Sequence, residues 1–212
     1  MQRFQSRALL SLVALVCLTA GLSAKVAPRR GQVFLTVEEA LSLAFGEAEV
    51  ERGTVYLTKE QKKAAQKKAG DKVRSAIVHP YVARDAAGKV IGTAYFDTHR
   101  VRTLDETIMV VVSPKNEILR IEVLAFGEPP DYVPRGVWYD QFKGKELGAE
   151  LNLKRGIRGV TGATLTASAT TKAARRVLAL HEIINAPGSS SETERRSGVA
   201  SSRGAVAGGE AR

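Results

Sequence analysis

The segment from Arg158 to Thr166, with the sequence RGVTGATLT, contains the residue types needed to hold a phosphate group. Its three threonine hydroxyls offer hydrogen bonds, and Gly162 lets the backbone approach a ligand closely. A helical pattern follows from about Ser168 to Ile184, and free N–H groups at the start of a helix favour an anion. The segment therefore indicates a phosphate or other anion site.

A second interpretation of the same segment is that its hydroxyl side chains only cap the following helix. Thr and Ser at helix starts commonly accept hydrogen bonds from backbone N–H groups and do nothing further. Residue types and spacing fit an anion site and a helix cap equally well, so both interpretations stay open at this point.

Thr161 to Thr164 resemble the (Ser/Thr)-Gly-Ala-Thr signature of the FMN-binding domain family. That family includes the C subunit of the sodium-translocating NADH:quinone reductase and the G subunit of the Rnf electron-transport complex. Its last signature Thr carries FMN through a phosphoester bond, so the resemblance, which extends from about Gly92 to Leu180, implies FMN on Thr164. It also implies cofactor contacts in the same loop, at Thr161, Gly162, Ala163, Leu165 and Thr166.

One position of the signature differs from the family pattern. The family usually has an acidic residue six places before the modified Thr, and this chain has Arg158 there, whereas Gly159 matches. An arginine could neutralise the flavin phosphate, or it could impair recognition by the modifying enzyme. Both consequences stay open.

A second segment carries the resemblance, the loop Gly127-Glu128-Pro129-Pro130-Asp131-Tyr132 with the aromatic residues after it. In the family an acidic residue before a proline contributes to the flavin pocket, so the resemblance implies that Glu128 and Pro129 lie near the isoalloxazine ring. Tyr132 and Trp138 could stack on that ring. The alternative is a structural loop for the prolines and core packing for Trp138.

The composition restricts the class of partner. Lys and Arg number 32 in the 212 residues and exceed the 22 Asp and Glu, but they are spread along the chain without a nucleic-acid-binding motif. The lysines between positions 62 and 72 alternate with alanines, which is typical of a solvated helix face. We therefore predict no nucleic-acid partner, and an acidic redox partner also fits the positive charge.

The first 24 residues have the pattern of an export signal. Arg3 and Arg7 precede the apolar run 8–18, and small residues end the segment at Ala24. The run is shorter than the roughly 20 residues of a membrane-spanning helix, which favours cleavage after Ala24 over retention as a membrane anchor. Cys17 lies inside the run, so the cleaved protein would contain no cysteine. We predict a periplasmic location or one at the extracytoplasmic face of a membrane.

The middle of the chain predicts an α+β domain, an antiparallel sheet of hairpins with helices packed on it. Capping boxes at Thr36 and Thr58 begin two helices, and Gly70 ends the second. Two hairpins follow, with strands over 75–84, 90–96, 107–113 and 118–126. The predicted organisation is a signal at 1–24, an N-terminal subregion at 25–89, the FMN-binding domain at 90–184 and a disordered tail at 185–212.

The histidines do not indicate a metal site or a catalytic residue. His79, His99 and His181 are widely separated, and none has metal-ligand spacing with another ligand residue. We predict His181 on the surface of the last helix and His99 at a strand end, where it could also reach the flavin. No nucleophile motif or phosphate-binding P-loop is present.

Together these observations predict an exported electron-transfer flavoprotein with FMN on Thr164, a carrier rather than an enzyme. A threonine hydroxyl is a poor nucleophile without an adjacent base, so we expect a separate FAD:protein FMN transferase to attach the flavin. The other expected partners are redox proteins in or outside the membrane. Two alternatives stay open, a flavin-dependent reductase outside the cytoplasm and a non-redox accessory protein that has lost its flavin.

Overall fold

The computed structural model describes residues 31–186. The predicted signal, and the predicted tail except for its first two residues, lie outside this range. The strands are β1 Gln32–Val33, β2 Glu49–Arg52, β3 Val55–Tyr56, β4 Ile77–Val78, β5 Tyr81–Arg84, β6 Val90–Arg100, β7 Asp105–Val112 and β8 Ile118–Phe126. The α-helices are α1 Val37–Phe45, α2 Lys59–Ala69, α3 Gly136–Tyr139 and α4 Thr164–Ile184, and 3₁₀ turns cover Pro130–Tyr132 and Asp140–Phe142.

Six strands form one curled antiparallel sheet in the order β1-β8-β7-β6-β5-β2, and β3 and β4 pair separately. The centre of β7, residues 108–112, is buried on both faces. Ile108, Val110 and Val112 belong to one core cluster, whereas Met109 and Val111 belong to the other. This alternation follows from the two-residue period of a strand and explains why the central strand reads as an unbroken apolar run.

Helices cover both faces of the sheet, so the fold is α+β, as predicted. The first core cluster joins the sheet to α4 through Ala167, Ala174 and Leu178. The second cluster joins the opposite face to α1 through Ala40. α2 packs on α4. Between residues 31 and 186, no helix combines the length and apolar character needed to cross a bilayer.

The two predicted capping boxes are confirmed. At the start of α1, the Glu39 N–H donates to Thr36 Oγ1 at 3.1 Å, and the Thr36 N–H donates to the Glu39 carboxylate at 2.8 Å. Thr58 and Gln61 make the same reciprocal pair before α2. Gly70 follows α2 with φ +69°, a left-handed conformation that glycine adopts without a steric penalty.

Strand boundaries differ from the prediction at two places. The segment 75–84 forms two strands, because Pro80 has no N–H to continue a ladder, and β4 and β5 join different sheets. β6 continues beyond the predicted end at residue 96 to Arg100, where its polar residues pair with the start of β7. β2 and β5 also extend the main sheet from β6, so the predicted subregion 25–89 shares one sheet with the rest of the described chain.

The surface position predicted for His181 is wrong. His181 is buried, with its ring edge-on to that of Tyr95 at 5.7 Å between centroids. The Tyr95 hydroxyl lies 2.9 Å from His181 Nδ1. Burial lowers the pKa of His181 to about 4, and the nearby Glu182 carboxylate offsets this only in part. His181 is therefore a neutral core residue.

This burial predicts a loss of stability in mild acid. Below pH 6.5 the unfolded chain begins to bind a proton at His181, whereas the folded chain stays neutral at this ring until about pH 4. We expect the free energy of unfolding to fall by about 3 kcal/mol between these pH values because of this group. In His181→Gln the fall should be smaller by that amount in urea titrations. The same pH dependence in both proteins would contradict the assignment.

Candidate functional site

A cleft of about 220 Å³ opens where the loop before α4 meets two turns. One turn connects β6 to β7, and the other is the 3₁₀ turn Pro130–Tyr132. We name this the α4 cleft, and its lining consists of Val101, Arg102, Glu128, Tyr132, Gly162, Ala163, Thr164, Leu165 and Thr166. The structure therefore brings together the loop before α4 and the Glu128 loop, which the sequence analysis identified. The β6–β7 turn also lines the cleft, and the sequence analysis did not identify it.

The start of α4 has no side-chain cap. Ala163 occupies the N-cap position, and no side chain accepts a hydrogen bond from the first turn. The N–H groups of Thr164, Leu165 and Thr166 have no helical partner, because the first four N–H groups of a helix never do. This argues against the capping interpretation of the loop. It leaves an open, electropositive helix end at the cleft, which favours a bound anion.

Thr164, the first residue of α4, is exposed at this helix end. Its hydroxyl donates a hydrogen bond of 3.2 Å to the Val160 carbonyl. A carbonyl oxygen accepts this proton in a hydrogen bond but is not a general base. Thr164 is therefore accessible to an external reagent, while its own contacts do not activate it.

Gly162 sets the backbone conformation of the loop. Its φ is +84°, in the left-handed region, and an added Cβ would meet no atom within 4 Å. Glycine is required here by backbone conformation and not by space. We expect Gly162→Ala to lower the free energy of unfolding by about 1 kcal/mol in urea titrations.

Gly159→Ala is the matched control for this prediction. Gly159 lies in the same loop with equal free space around its Cα, but its φ is outside the left-handed region. This control should change stability by less than about 0.5 kcal/mol. Equal effects of the two substitutions would show that the φ of Gly162 carries no strain.

Thr166 ties the helix to the neighbouring turn. It is buried, and its hydroxyl donates a bond of 2.7 Å to the Tyr132 carbonyl. Its proton is therefore used inside the protein, while the residue also lines the cleft. The Tyr132 side chain is 38% exposed and that of Leu165 is 55% exposed. These two residues offer the cleft apolar surface.

Glu128 positions the β6–β7 turn. Its Oε1 accepts hydrogen bonds from the Thr103 N–H at 2.5 Å, the Leu104 N–H at 2.7 Å and the Thr103 hydroxyl at 3.0 Å. The backbone donors of Leu104 and Thr103 hold the pKa of Glu128 below its usual range. Glu128 lines the cleft, and one oxygen of its carboxylate orders the β6–β7 turn.

Three residues predicted for the site lie outside the lining of the cleft, namely Thr161, Pro129 and Trp138. Thr161 is exposed in the loop, and Pro129 caps the 3₁₀ turn through its carbonyl. Trp138 is buried in the core, edge-to-face with Tyr139 and Phe142. Its Nε1–H donates to the Arg158 carbonyl at 2.7 Å. Trp138 is therefore a core residue, as in the alternative interpretation. Its indole N–H also fixes the backbone of Arg158 at the start of the loop before α4.

Arg102 and Val101 are cleft residues that the sequence analysis missed. Arg102 is exposed and adds a cation to the wall opposite the open end of α4. The sequence signal was weak, because a basic residue in a hairpin turn is common and usually solvated. Only pairing of β6 with β7 up to Arg100 and Asp105 brings this turn to the cleft.

Beneath α4, close to the cleft, lies a buried network of charged groups. His99 Nδ1 is 2.9 Å from Asp97 Oδ1, and His99 Nε2 is 2.9 Å from Glu106 Oε2. Burial would lower the pKa of His99, but the two carboxylates outweigh it and raise the pKa. His99 is the second-to-last residue of β6, so it lies at a strand end as predicted, but it is buried and outside the cleft lining. No pattern in the sequence indicated that Glu106 would contact it.

The model of the FMN-binding domain family matches residues 105–179. The match runs from the start of β7 through most of α4 and includes the loop and the turn that form two walls of the cleft. No curated protein sequence matches the chain. The chain is therefore a flavin-binding protein, and FMN is its cofactor.

The residues of the α4 cleft fit FMN in their chemistry. The open N-terminus of α4 and the exposed Arg102 suit a phosphate, and the exposed surfaces of Tyr132 and Leu165 suit an aromatic ring. The volume of about 220 Å³ is below the roughly 300 Å³ at which small-molecule pockets begin. A cleft of this volume would enclose only part of FMN, and the remainder would lie on the surface around it.

Proposed function

Residues 105–179 form an FMN-binding domain, and from this premise we propose that the protein is an exported electron carrier with FMN esterified to Thr164. The observation that carries the proposal is the position of Thr164. It lies exposed at the first turn of α4, where no side chain caps the helix and Gly162 gives the preceding loop its turn. A phosphate bonded to Thr164 Oγ1 would lie beside free N–H groups that stabilise its charge.

The attachment needs a second protein. Thr164 contacts the Val160 carbonyl and, among the contacts described for residues 31–186, no carboxylate or imidazole. A threonine without a base does not attack phosphorus at a useful rate. We propose a FAD:protein FMN transferase as the partner. In that reaction Thr164 Oγ1 loses its proton and bonds to the FMN phosphorus of FAD, the diphosphate bond breaks, and AMP leaves.

The proposed role of the domain is to hold and expose the cofactor. When bound, a flavin accepts two electrons and releases them singly. The small volume of the cleft and the exposed side chains at its rim suit a cofactor that stays accessible to redox partners. We propose that these partners lie in or outside the membrane, at the periplasmic or extracytoplasmic face. A phosphoester tether suits that location, because flavin that dissociated there would be diluted.

The proposal is tested by producing the full chain together with a flavin transferase and measuring its intact mass and its fluorescence in a denaturing gel. We expect one FMN less one water per chain and fluorescence that survives denaturation. Thr164→Ala should lose both completely. Thr164→Ser is the matched control, because it keeps a hydroxyl at the first turn of α4 and leaves the rest of the loop unchanged. It should retain the flavin.

The alternatives give different results in the same experiment. An unmodified mass in the wild type, with FMN that dissociates on denaturation, would replace the covalent carrier with a protein that binds flavin reversibly. A protein without any flavin would favour the accessory role. Equal loss in both Thr164 variants would assign the effect to the loop and not to an ester through the hydroxyl at this position.

A further inference from the structure

A second cleft, of about 340 Å³, lies on another side of the molecule, and no residue of its lining is shared with the α4 cleft. It opens between the sheet, α4 and the segment 73–79, which contains β4. We name it the lateral cleft. Its volume falls in the range of small-molecule pockets, roughly 300 to 1,000 Å³. The FMN match begins only at residue 105, so much of this lining precedes the matched part of the chain.

Most of the lateral cleft is apolar. Apolar side chains from several elements contribute, among them Val73, Ile77, Tyr81, Phe96 and Leu180. The rings of Tyr81 and Phe96 pack edge-to-face at 5.2 Å between centroids, which fixes one wall. Ile77 at the rim is 44% exposed. A ligand in this cleft would therefore remove apolar surface from water, both its own and that of the protein.

The charges in the lateral cleft are not balanced. Arg176 lies in the lining, but its guanidinium is bonded to both Asp97 and Asp71. Arg52 and Arg74 also line the cleft and are exposed, and no carboxylate of residues 31–186 forms an ion pair with either. The Arg52 guanidinium lies 6.0 Å from the centre of the Tyr81 ring. Among residues 31–186, two arginines without a carboxylate partner therefore lie beside an apolar pocket.

We propose that the lateral cleft binds a small amphipathic carboxylate, an anion with an apolar body. The apolar body suits the wall formed by Tyr81, Phe96 and Ile77. The carboxylate suits Arg74 and Arg52, because guanidinium groups bind carboxylates through paired charge-assisted hydrogen bonds. A cationic amphiphile would meet unpaired positive charge. This site is separate from the flavin and does not depend on its attachment.

The test uses decanoate as the probe and the full chain, with and without flavin, in isothermal titration calorimetry. We expect saturable binding of one decanoate per chain in both forms, and no binding of decyltrimethylammonium. Arg74→Gln should weaken decanoate binding about tenfold, since a charge-assisted hydrogen bond is lost. Ile77→Asp should weaken it at least about tenfold, because it adds a negative charge to the rim and removes apolar surface.

Lys115→Gln is the matched control, because it removes one positive charge from the exposed β7–β8 turn, outside the lining of the lateral cleft. Its decanoate affinity should equal that of the wild type. Arg74 and Ile77 are both exposed, so their replacement is expected to leave the fold intact, which a thermal unfolding curve verifies. Failure of decanoate to saturate, or equal affinity in wild type, Arg74→Gln and Ile77→Asp, would overturn the proposal.

Discussion

Replacing Arg176 with methionine is expected to lower the free energy of unfolding by about 3 kcal/mol at pH 7. Arg176 donates two hydrogen bonds to Asp97, at 3.1 Å from Nε and 2.6 Å from Nη2, and a third to Asp71. These side chains are little exposed. Methionine keeps the apolar stem of the side chain but removes the guanidinium from Asp71 and Asp97, and Asp97 then keeps only the His99 ring as a partner. Charge that is buried with too little compensation is costly.

The pH dependence identifies the cause of this loss. Burial would raise the pKa of Asp97, but hydrogen bonds from His99 and Arg176 lower it to about 2. Because the folded pKa is below the usual 3.8, this stabilisation is present above pH 3.8 and is lost as the pH falls toward 2. The difference in the free energy of unfolding between wild type and Arg176→Met, measured by urea titration, should therefore become smaller below pH 3.8.

Lys63→Met is the control for Arg176→Met, since Lys63 lies on α2, carries the same charge, is exposed and forms none of the ion pairs found among residues 31–186. It should change stability by less than about 0.5 kcal/mol. Combining Asp97→Asn with Arg176→Met should recover part of the lost stability, because one charge that has lost its guanidinium partner is removed. A loss in the free energy of unfolding of less than about 1 kcal/mol in Arg176→Met, roughly a third of the expected loss, would contradict a stabilising role for this ion pair.

Trp138→Ala is expected to lower the free energy of unfolding by about 3 to 5 kcal/mol. The indole packs against Tyr139 and Phe142 at centroid distances of 5.0 and 5.1 Å, and its removal leaves a cavity in the first core cluster. The substitution also removes the Nε1–H bond to the Arg158 carbonyl. Gln141 accepts a hydrogen bond from the Arg158 N–H at 2.9 Å, so a second side chain would still hold the backbone of Arg158.

Two further variants separate packing from hydrogen bonding in this prediction. Trp138→Phe keeps an aromatic ring but not the Nε1–H donor, and we expect a loss of about 1 to 2 kcal/mol. Val137→Ala alters the neighbouring residue, which is 76% exposed, and should be close to neutral in the same urea titrations. Equal losses for Trp138→Ala and Trp138→Phe would mean that the hydrogen bond, and not the packing, carries the energy.

Local signals in the sequence were sufficient for much of the fold. Thr36 and Thr58 predicted helix starts because a capping box depends on residues three positions apart. The turn before β8 and the strands on either side of it were predicted from short-range patterns in the same way. The extension of β6 to Arg100 was not predicted, because its polar residues depend on partners that are distant in sequence. Asp97 pairs with Arg176, and His99 pairs with Glu106.

The parts of the candidate site that carry a local sequence motif were predicted. The parts that come together only through tertiary structure were missed. The loop before α4 and the Glu128 turn carried residue patterns, and both line the α4 cleft. Arg102 comes to the cleft through strand pairing, which no local pattern encodes. The indole of Trp138 had two plausible environments, and the decisive contact is the Arg158 carbonyl, 20 residues away in sequence. His181 was misplaced because the polar type of the residue outweighed its position on the buried face of α4.

Fragmentation mass spectrometry of the trypsin peptide 159–172, from the full chain produced with a flavin transferase, would locate the FMN on a single side chain. Cleavage after Arg158 and Lys172 isolates the whole attachment loop, which contains several hydroxyl residues. We predict that the fragment ions assign the mass of FMN less one water to Thr164. An unmodified peptide, or flavin on Thr161 or Thr166, would contradict the account.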